Sequence, residues 1–380
     1  MLGVDCFTEN YAQLKDRPLG LLTNHATFSG SGYPVAHELL RQGFSIKKLF
    51  SPEHGILSQG EDGMAQKNAY DPYTKLPIVS LYGESMKPHS SDLEDIDIIL
   101  IDLPNIGCRF YTYWWTITHM LEACVANRKK IIVLDRPNLS QRSLDSIEGP
   151  MLEPSCQSFL GRWPMPLTFS QSFGELTRWF IHERQLDIEW EVIPFSNIVE
   201  LSFIPPSPSM NELQAVWLYP CTCLFEGLNV NMGRGTSFPF RVIGAPWLDA
   251  IHLHHDFKNN KFEGVESFPY SYQPIWSTYA NEFCYGLYFH VTNHKKFSPV
   301  KVGLWLMNYL SVHYSSQLKP AIYPTAANPS GEKHLDLLLG IPNAYDVFCG
   351  GKSIDNPTIE KLTDAKEWSV NVAIFLALQV

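Results

Sequence analysis

Short apolar runs without polar alternation recur through the first half of the chain, each followed by a stretch with helical spacing. Leu19–Thr23, Ile46–Phe50, Ile78–Tyr82, Ile96–Leu103 and Lys130–Asp135 read as strands, Ile96–Leu103 (IDIILIDL) most clearly. Val35–Gln42, Trp115–Ala126 and Ser172–Arg184 carry helical spacing, and Ile188–Ile193 follows as a further strand. Strands that are apolar throughout must be covered on both faces, and intervening helices supply that cover through parallel crossovers. The pattern predicts an α/β fold with a mostly parallel sheet, in which ligands gather at the carboxyl ends of the strands. Asn24-His25, Pro52-Glu53-His54, Asp102 to Arg109 and Asp135-Arg136-Pro137-Asn138 stand there.

The stretch Ile204-Pro205-Pro206-Ser207-Pro208-Ser209-Met210 can continue neither element and reads as a linker or cleft wall. It separates an N-terminal domain, residues 1–205, from a smaller C-terminal α/β domain, residues 206–380. The second domain opens on a Gly-rich loop, Glu226-Gly227 to Gly233-Arg234-Gly235-Thr236. A strand near Tyr285–Val291 and helices near Lys301–Val312, His334–Leu339 and Thr358–Ala377 follow. At ~150 residues per domain, two domains suit the length.

Composition then removes whole classes of function. A net charge of −10 argues against a nucleic-acid groove or an anionic membrane surface as partner. No apolar run approaches the ~18 residues of a membrane span, and Met1–Asn10 lacks the basic and apolar stretches of a signal peptide. The 8 cysteines form no C-x-x-C pair and are expected reduced and buried. Together these features predict a cytoplasmic protein, or a periplasmic or secreted one if a leader has been removed. Gly350-Gly351-Lys352-Ser353 is no phosphate loop, because Asp346 stands where that motif needs glycine. Neither a G-x-G-x-x-G nor a G-x-S-x-G motif occurs, so no dinucleotide site or α/β-hydrolase nucleophile is indicated. No cofactor and no metal is expected, and His252, His254 and His255 read as an exposed patch. The aromatic share of 13% leaves rings for a cleft, and sugars stack well on rings.

Candidate chemistry starts at Glu53. Pro52 before it and Gly55 after it hold the carboxylate on a stiff corner, as a general acid requires, with partial burial raising its pKa. Capping of a helix N-terminus fits the spacing equally well. His54 has no patterned metal partner and reads as a hydrogen-bonded structural residue. Arg109 amid rings suits a carboxylate, and Tyr111 and Tyr113 suit a sugar. In the alternative, Arg109 pairs with Asp102 or Asp135 and the rings fill core. At Asp135, Arg136 and Asn138, followed by Glu148-Gly149-Pro150, an Asp–Arg pair that only ties loops together is the stronger reading.

Eight blocks then occur in order: Gly20–Asn24, Leu49–Gly55, Ser80–Gly83 with Lys87-Pro88, Arg109–Tyr113, Val133–Asn138, Glu148–Pro150, Pro206–Pro208, and Glu226-Gly227 to Gly233–Thr236. Together they resemble the exo-β-N-acetylmuramidase family, long known as the domain of unknown function DUF1343, from about Gly3 to near the C-terminus. The resemblance implies a Rossmann-like N-terminal domain, a smaller C-terminal α/β domain, and an active site in the cleft between them. It further implies release of N-acetylmuramic acid from the non-reducing end of peptidoglycan fragments, with muropeptides or disaccharides containing that sugar as substrates. Carried over, Glu53 resembles the catalytic acid, and Arg109, Tyr111, Asp135, Arg136, Asn138, Glu226 and Arg234 resemble cleft residues. The strand-end reading adds Asn24, His54, Asp102 and Tyr113 around the substrate. The second catalytic group stays open among Glu148, Asp102, Asp135, Glu226 and the Tyr111 hydroxyl. The chain departs from the family pattern at Asn105, Phe169 and Met232. A degenerate sugar-binding protein is the alternative function.

Overall fold

The computed structural model describes residues 1–196 and 202–378. Its larger sheet has seven strands: β1 Leu19–Leu22, β2 Ile46–Ser51, β3 Ala69–Tyr70, β4 Pro77–Ser80, β5 Ile98–Ile101, β6 Lys130–Leu134 and β7 Trp190–Ile193. They lie in the order β3-β4-β2-β1-β5-β6-β7. Every neighbouring pair is parallel except β3 with β4. β1 and β5 are buried along their whole length, which is why they read as apolar without alternation. Ile98 and Leu100 enter a core with Phe7 and Leu39 on one face, while Ile99 and Ile101 enter the other with Trp114, Trp115 and Met120. Helices Gly3–Asn10 and Val35–Arg41 cover the first face, and Tyr113–Asn127 and Phe173–Arg184 cover the second. The chain order reverses between β1 and β5, so the carboxyl ends of the central strands open onto a crevice.

The smaller domain carries an antiparallel sheet of β8 Val242–Ala245, β9 Val265–Tyr272 and β10 Cys284–Val291, in the order β8-β10-β9. Helices Leu213–Thr222 and Pro299–His313 share its core. β9 contains Pro269 and lies at the sheet edge, where a missing N–H costs no ladder bond. The helix expected over Thr358–Ala377 is two helices, Asn356–Thr363 and Lys366–Ala377, because Asp364 adopts an extended conformation between them. The second of these returns to the N-terminal side, where Trp368 meets Trp179 edge to face at 5.6 Å. His252, His254 and His255 lie on helix Ala250–Asn259, with His252 and His255 largely exposed. Among the described residues no helix is long and apolar enough to cross a membrane.

Candidate active site

β2 runs into a turn with an unusual backbone. Glu53 follows Pro52, and both His54 (φ 67°) and Gly55 (φ 69°) are left-handed, as is Ser58 (φ 56°). Such a conformation costs a non-glycine residue about 1–2 kcal/mol, so the surrounding fold fixes this corner firmly. One Glu53 oxygen accepts from the Gly63 N–H at 3.0 Å and the other from the Thr112 hydroxyl at 2.6 Å. Glu53 caps no helix; both of its oxygens are committed to the loop and to the segment after β5. His54 Nδ1 donates to the Gly60 carbonyl at 2.9 Å, which fixes its ring.

The opposite wall comes from the Gly-rich loop. Gly233 and Gly235 have φ of 89° and 81°, and a Cβ on either would sit 2.2 Å from a backbone oxygen. These two glycines hold Arg234 in place. Its guanidinium bonds Glu226 at 2.7 Å and Asp62 at 3.0 Å, and donates to the Ser209 hydroxyl at 3.0 Å. Tyr323 donates to the second Asp62 oxygen at 2.6 Å. Between these walls lies a pocket of about 130 Å³ lined by His54, Asp62, Tyr111, Ser207, Tyr219, Arg234 and Trp276, with Glu53 beside it in the same turn as His54. The buried Tyr111 hydroxyl has no hydrogen-bond partner among the described residues.

Electrostatics set the two carboxyls apart. Burial pushes Glu53 above the usual carboxylate range, and Asp62 adds to the rise, against the charge of His54 and the bonds from Thr112 and Gly63. Burial acts on Asp62 in the same sense, but Arg234, His54 and the Tyr323 hydroxyl outweigh it and hold that carboxyl below its usual range. Glu53 is thus the carboxyl that holds its proton more tightly and Asp62 the one that ionises more readily, a contrast of the kind seen where two carboxyls divide acid and anion roles. Glu53, His54 and Asp62 each offer a ligand atom, all within 4.8 Å of one another, so they are the group with the spacing to hold a metal. Asp62 is already committed to Arg234 and Tyr323, and Glu53 favours its proton, so the donor set suits proton transfer better than a cation.

Several expected site residues are placed elsewhere. Arg109 is fully buried and donates to the carbonyls of Pro150, Met165 and Leu338, so it pairs with neither Asp102 nor Asp135. Asp102 forms an ion pair with Arg136, which also donates to the Phe28 carbonyl at 2.7 Å, tying strand-end loops together. Asp135 accepts from Ser172 at 2.6 Å and from the Gly174 N–H at 2.9 Å, at the start of helix Phe173–Arg184. Asn138 donates to the carbonyls of Phe169 and Gln171. Glu148 accepts from the N–H groups of Val300 and Lys301 and caps helix Pro299–His313. Asn24 stands one layer behind the pocket, donating to the Tyr113 hydroxyl at 3.0 Å, which in turn donates to the Pro206 carbonyl at 2.7 Å. Asn105 bonds the Gln171 carbonyl and the Gly107 N–H, and Phe169 and Met232 are core residues.

Asp62 is the site residue that the sequence pattern hides. It lies in Gly60-Glu61-Asp62-Gly63, whose chemistry is that of an exposed turn, and no motif marks it. Tyr323 and His334, whose rings stack at 4.8 Å beside Glu226, were equally unmarked.

Comparison with known proteins identifies the relatives of this chain. Residues 19–214 match the family described as exo-beta-N-acetylmuramidase NamZ, N-terminal, and residues 217–376 match its C-terminal counterpart. The chain is 35% identical over 313 residues to the peptidoglycan beta-N-acetylmuramidase NamZ of Bacillus subtilis strain 168, across 80% of this chain and 75% of that protein. A crystal structure of a DUF1343 family protein from Bacteroides fragilis superposes with a TM-score of 0.84 at 24% identity. A second from the same organism does so with a TM-score of 0.70 at 25% identity. Each covers 98% of this chain and 96% of its own.

Proposed function

The chain belongs to the exo-beta-N-acetylmuramidase NamZ family, and from that premise we propose that it hydrolyses the β-linkage of a terminal N-acetylmuramic acid in peptidoglycan fragments. The observation that carries the reading is the carboxyl pair of Glu53 and Asp62, driven apart in proton affinity beside one pocket.

In this reading Glu53 protonates the leaving glycosidic oxygen. Asp62 supplies the negative charge against which the oxocarbenium character develops. One oxygen of Asp62 lies within 4.8 Å of one on Glu53; retaining enzymes hold their two carboxyl groups ~5–5.5 Å apart and inverting ones ~6.5–9.5 Å, and the anomer formed decides between the two. Arg234 and Tyr323 keep Asp62 ionised and oriented. The lactyl carboxylate of muramic acid meets the guanidinium of Arg234, and the Tyr111 hydroxyl bonds the sugar. All eight cysteines are free and seven are buried, which favours a reducing compartment and so a cytoplasmic site of action on small fragments.

Release of N-acetylmuramic acid from a disaccharide or a short glycan fragment, followed by chromatography, tests the activity. Glu53→Gln is expected to lower kcat by roughly 10²–10⁴-fold, the usual worth of a general acid. Wild-type turnover that survives this change would remove Glu53 from the mechanism. Binding of the fragment with no product would replace hydrolysis by a sugar-binding role. The anomer released first, read by proton NMR, tests retention.

A further inference from the structure

A second, larger concavity of about 820 Å³ lies beside the catalytic pocket, and Gln59 lines both. It is built at the carboxyl ends of β1 and β2 and closed on one side by the Pro-rich segment through Ile204 and Pro205. Two ring pairs line it. His25 stacks on Tyr73 with centroids 5.0 Å apart, and Tyr33 stacks on His37 at 5.3 Å. Tyr33 is 44% and Tyr73 66% exposed, so both present open ring surface. The rings are held in place: His25 Nε2 bonds Asp71 at 2.9 Å, and Asp71 is itself fixed by the Thr74 N–H at 2.7 Å.

Two further features point to a ligand and to its chemistry. Ser58 is only 3% exposed, yet its hydroxyl, on the groove lining, has no hydrogen-bond partner. The lining includes no carboxylate, lysine or arginine, whereas the adjoining pocket carries Glu61, Asp62 and Arg234. An uncharged pyranose would find ring faces for its C–H surface.

We propose that this groove is the leaving-group site, seating the uncharged N-acetylhexosamine on the reducing side of the scissile bond. The assignment rests on the hydrolase reading above. A β-linked chain whose terminal sugar fills the small pocket must leave past the shared residue Gln59, and the groove begins there. Rings fixed before binding lower the ordering cost of the chain.

The test compares two substrates of the intact protein: a glycan-chain fragment ending in N-acetylmuramic acid, and the trifluoroethyl β-glycoside of the same sugar, whose leaving group is too small to reach the rings. The double variant Tyr33→Ala, Tyr73→Ala is expected to lose about tenfold or more in kcat/KM on the chain fragment, since both ring faces that carry the leaving sugar are gone. On the trifluoroethyl glycoside it should stay within about twofold. Tyr73→Phe, which keeps the ring, should retain chain-fragment activity. Chain-fragment kcat/KM unchanged in the double variant, or an equal loss on both substrates, overturns the groove assignment and leaves the hydrolase reading standing. A wild-type chain that releases muramic acid from neither substrate overturns both.

Discussion

At the scale of single residues, the site depends on a carboxyl kept where its charge is unwelcome. The Glu53 carboxyl is raised by burial above its unfolded value, so its contribution to stability is complete below the ordinary glutamate pKa and is lost as pH rises through the folded one. Glutamine fixes the uncharged form and can still accept from Gly63 and donate to the Thr112 hydroxyl. Glu53→Gln should therefore melt no lower than wild type at neutral pH, with any gain shrinking as the buffer is acidified, while turnover falls. Wild-type kcat/KM should decline on the alkaline side as Glu53 ionises and on the acid side as Asp62, held low, takes up a proton. A profile flat from acid to alkaline pH would contradict both roles. Arg109 illustrates the opposite case, a conspicuous charge that serves the fold. Burial lowers its pKa to about 10, and its donors satisfy three carbonyls. Arg109→Ala should cost about 3 kcal/mol or more, because each buried carbonyl left unpaired costs ~1–3 kcal/mol. A Tm within a degree of wild type would disprove that. Glu53 was legible because Pro52 and Gly55 mark a stiff corner; Arg109 was misleading because its partners are carbonyls, which leave no trace in side-chain patterns.

Elements follow the same logic at longer range. β1, β5 and β6 were readable because strands buried on both faces are apolar at nearly every position. β9 was not, since Pro269 breaks the strand pattern and only its place at the sheet edge makes proline tolerable. Glu148 sits after the parallel strands like a catalytic acid, but its partners stand 152 residues further along the chain at the N-terminus of helix Pro299–His313. There it satisfies two orphan N–H groups, offsets the helix dipole and faces the buried Arg142 at 3.9 Å. Glu148→Ala should lower stability by about 2–4 kcal/mol, as expected when two donors and a buried cation lose their acceptor. Thermal melts followed by circular dichroism measure it; an unchanged Tm would mean that water replaces the carboxylate at no cost.

For the whole molecule, the catalytic geometry is a contact between parts of the chain that fold around different sheets. Asp62 belongs to the loop after β2 and Arg234 to the loop before β8, and their 3.0 Å ion pair exists only if the two parts are held in register. The Pro-rich segment connects them once. The two C-terminal helices, Asn356–Thr363 and Lys366–Ala377, connect them again: Gly149 donates to the Thr363 carbonyl at 2.8 Å, and Trp368 and Phe375 lie against Trp179 and His182 of helix Phe173–Arg184. With the Arg109–Leu338 bond and Glu148 at the start of helix Pro299–His313, these contacts keep the cleft walls at fixed spacing. Trp368→Ala removes the largest ring of the second anchor, a loss of ~3–5 kcal/mol for a buried tryptophan. Its cost falls on the junction, so calorimetry should resolve two transitions where wild type melts in one, and kcat/KM should fall although every pocket residue is intact. A variant that melts in one transition at the wild-type temperature, with full activity, would show that the Trp368 contact does not set the cleft.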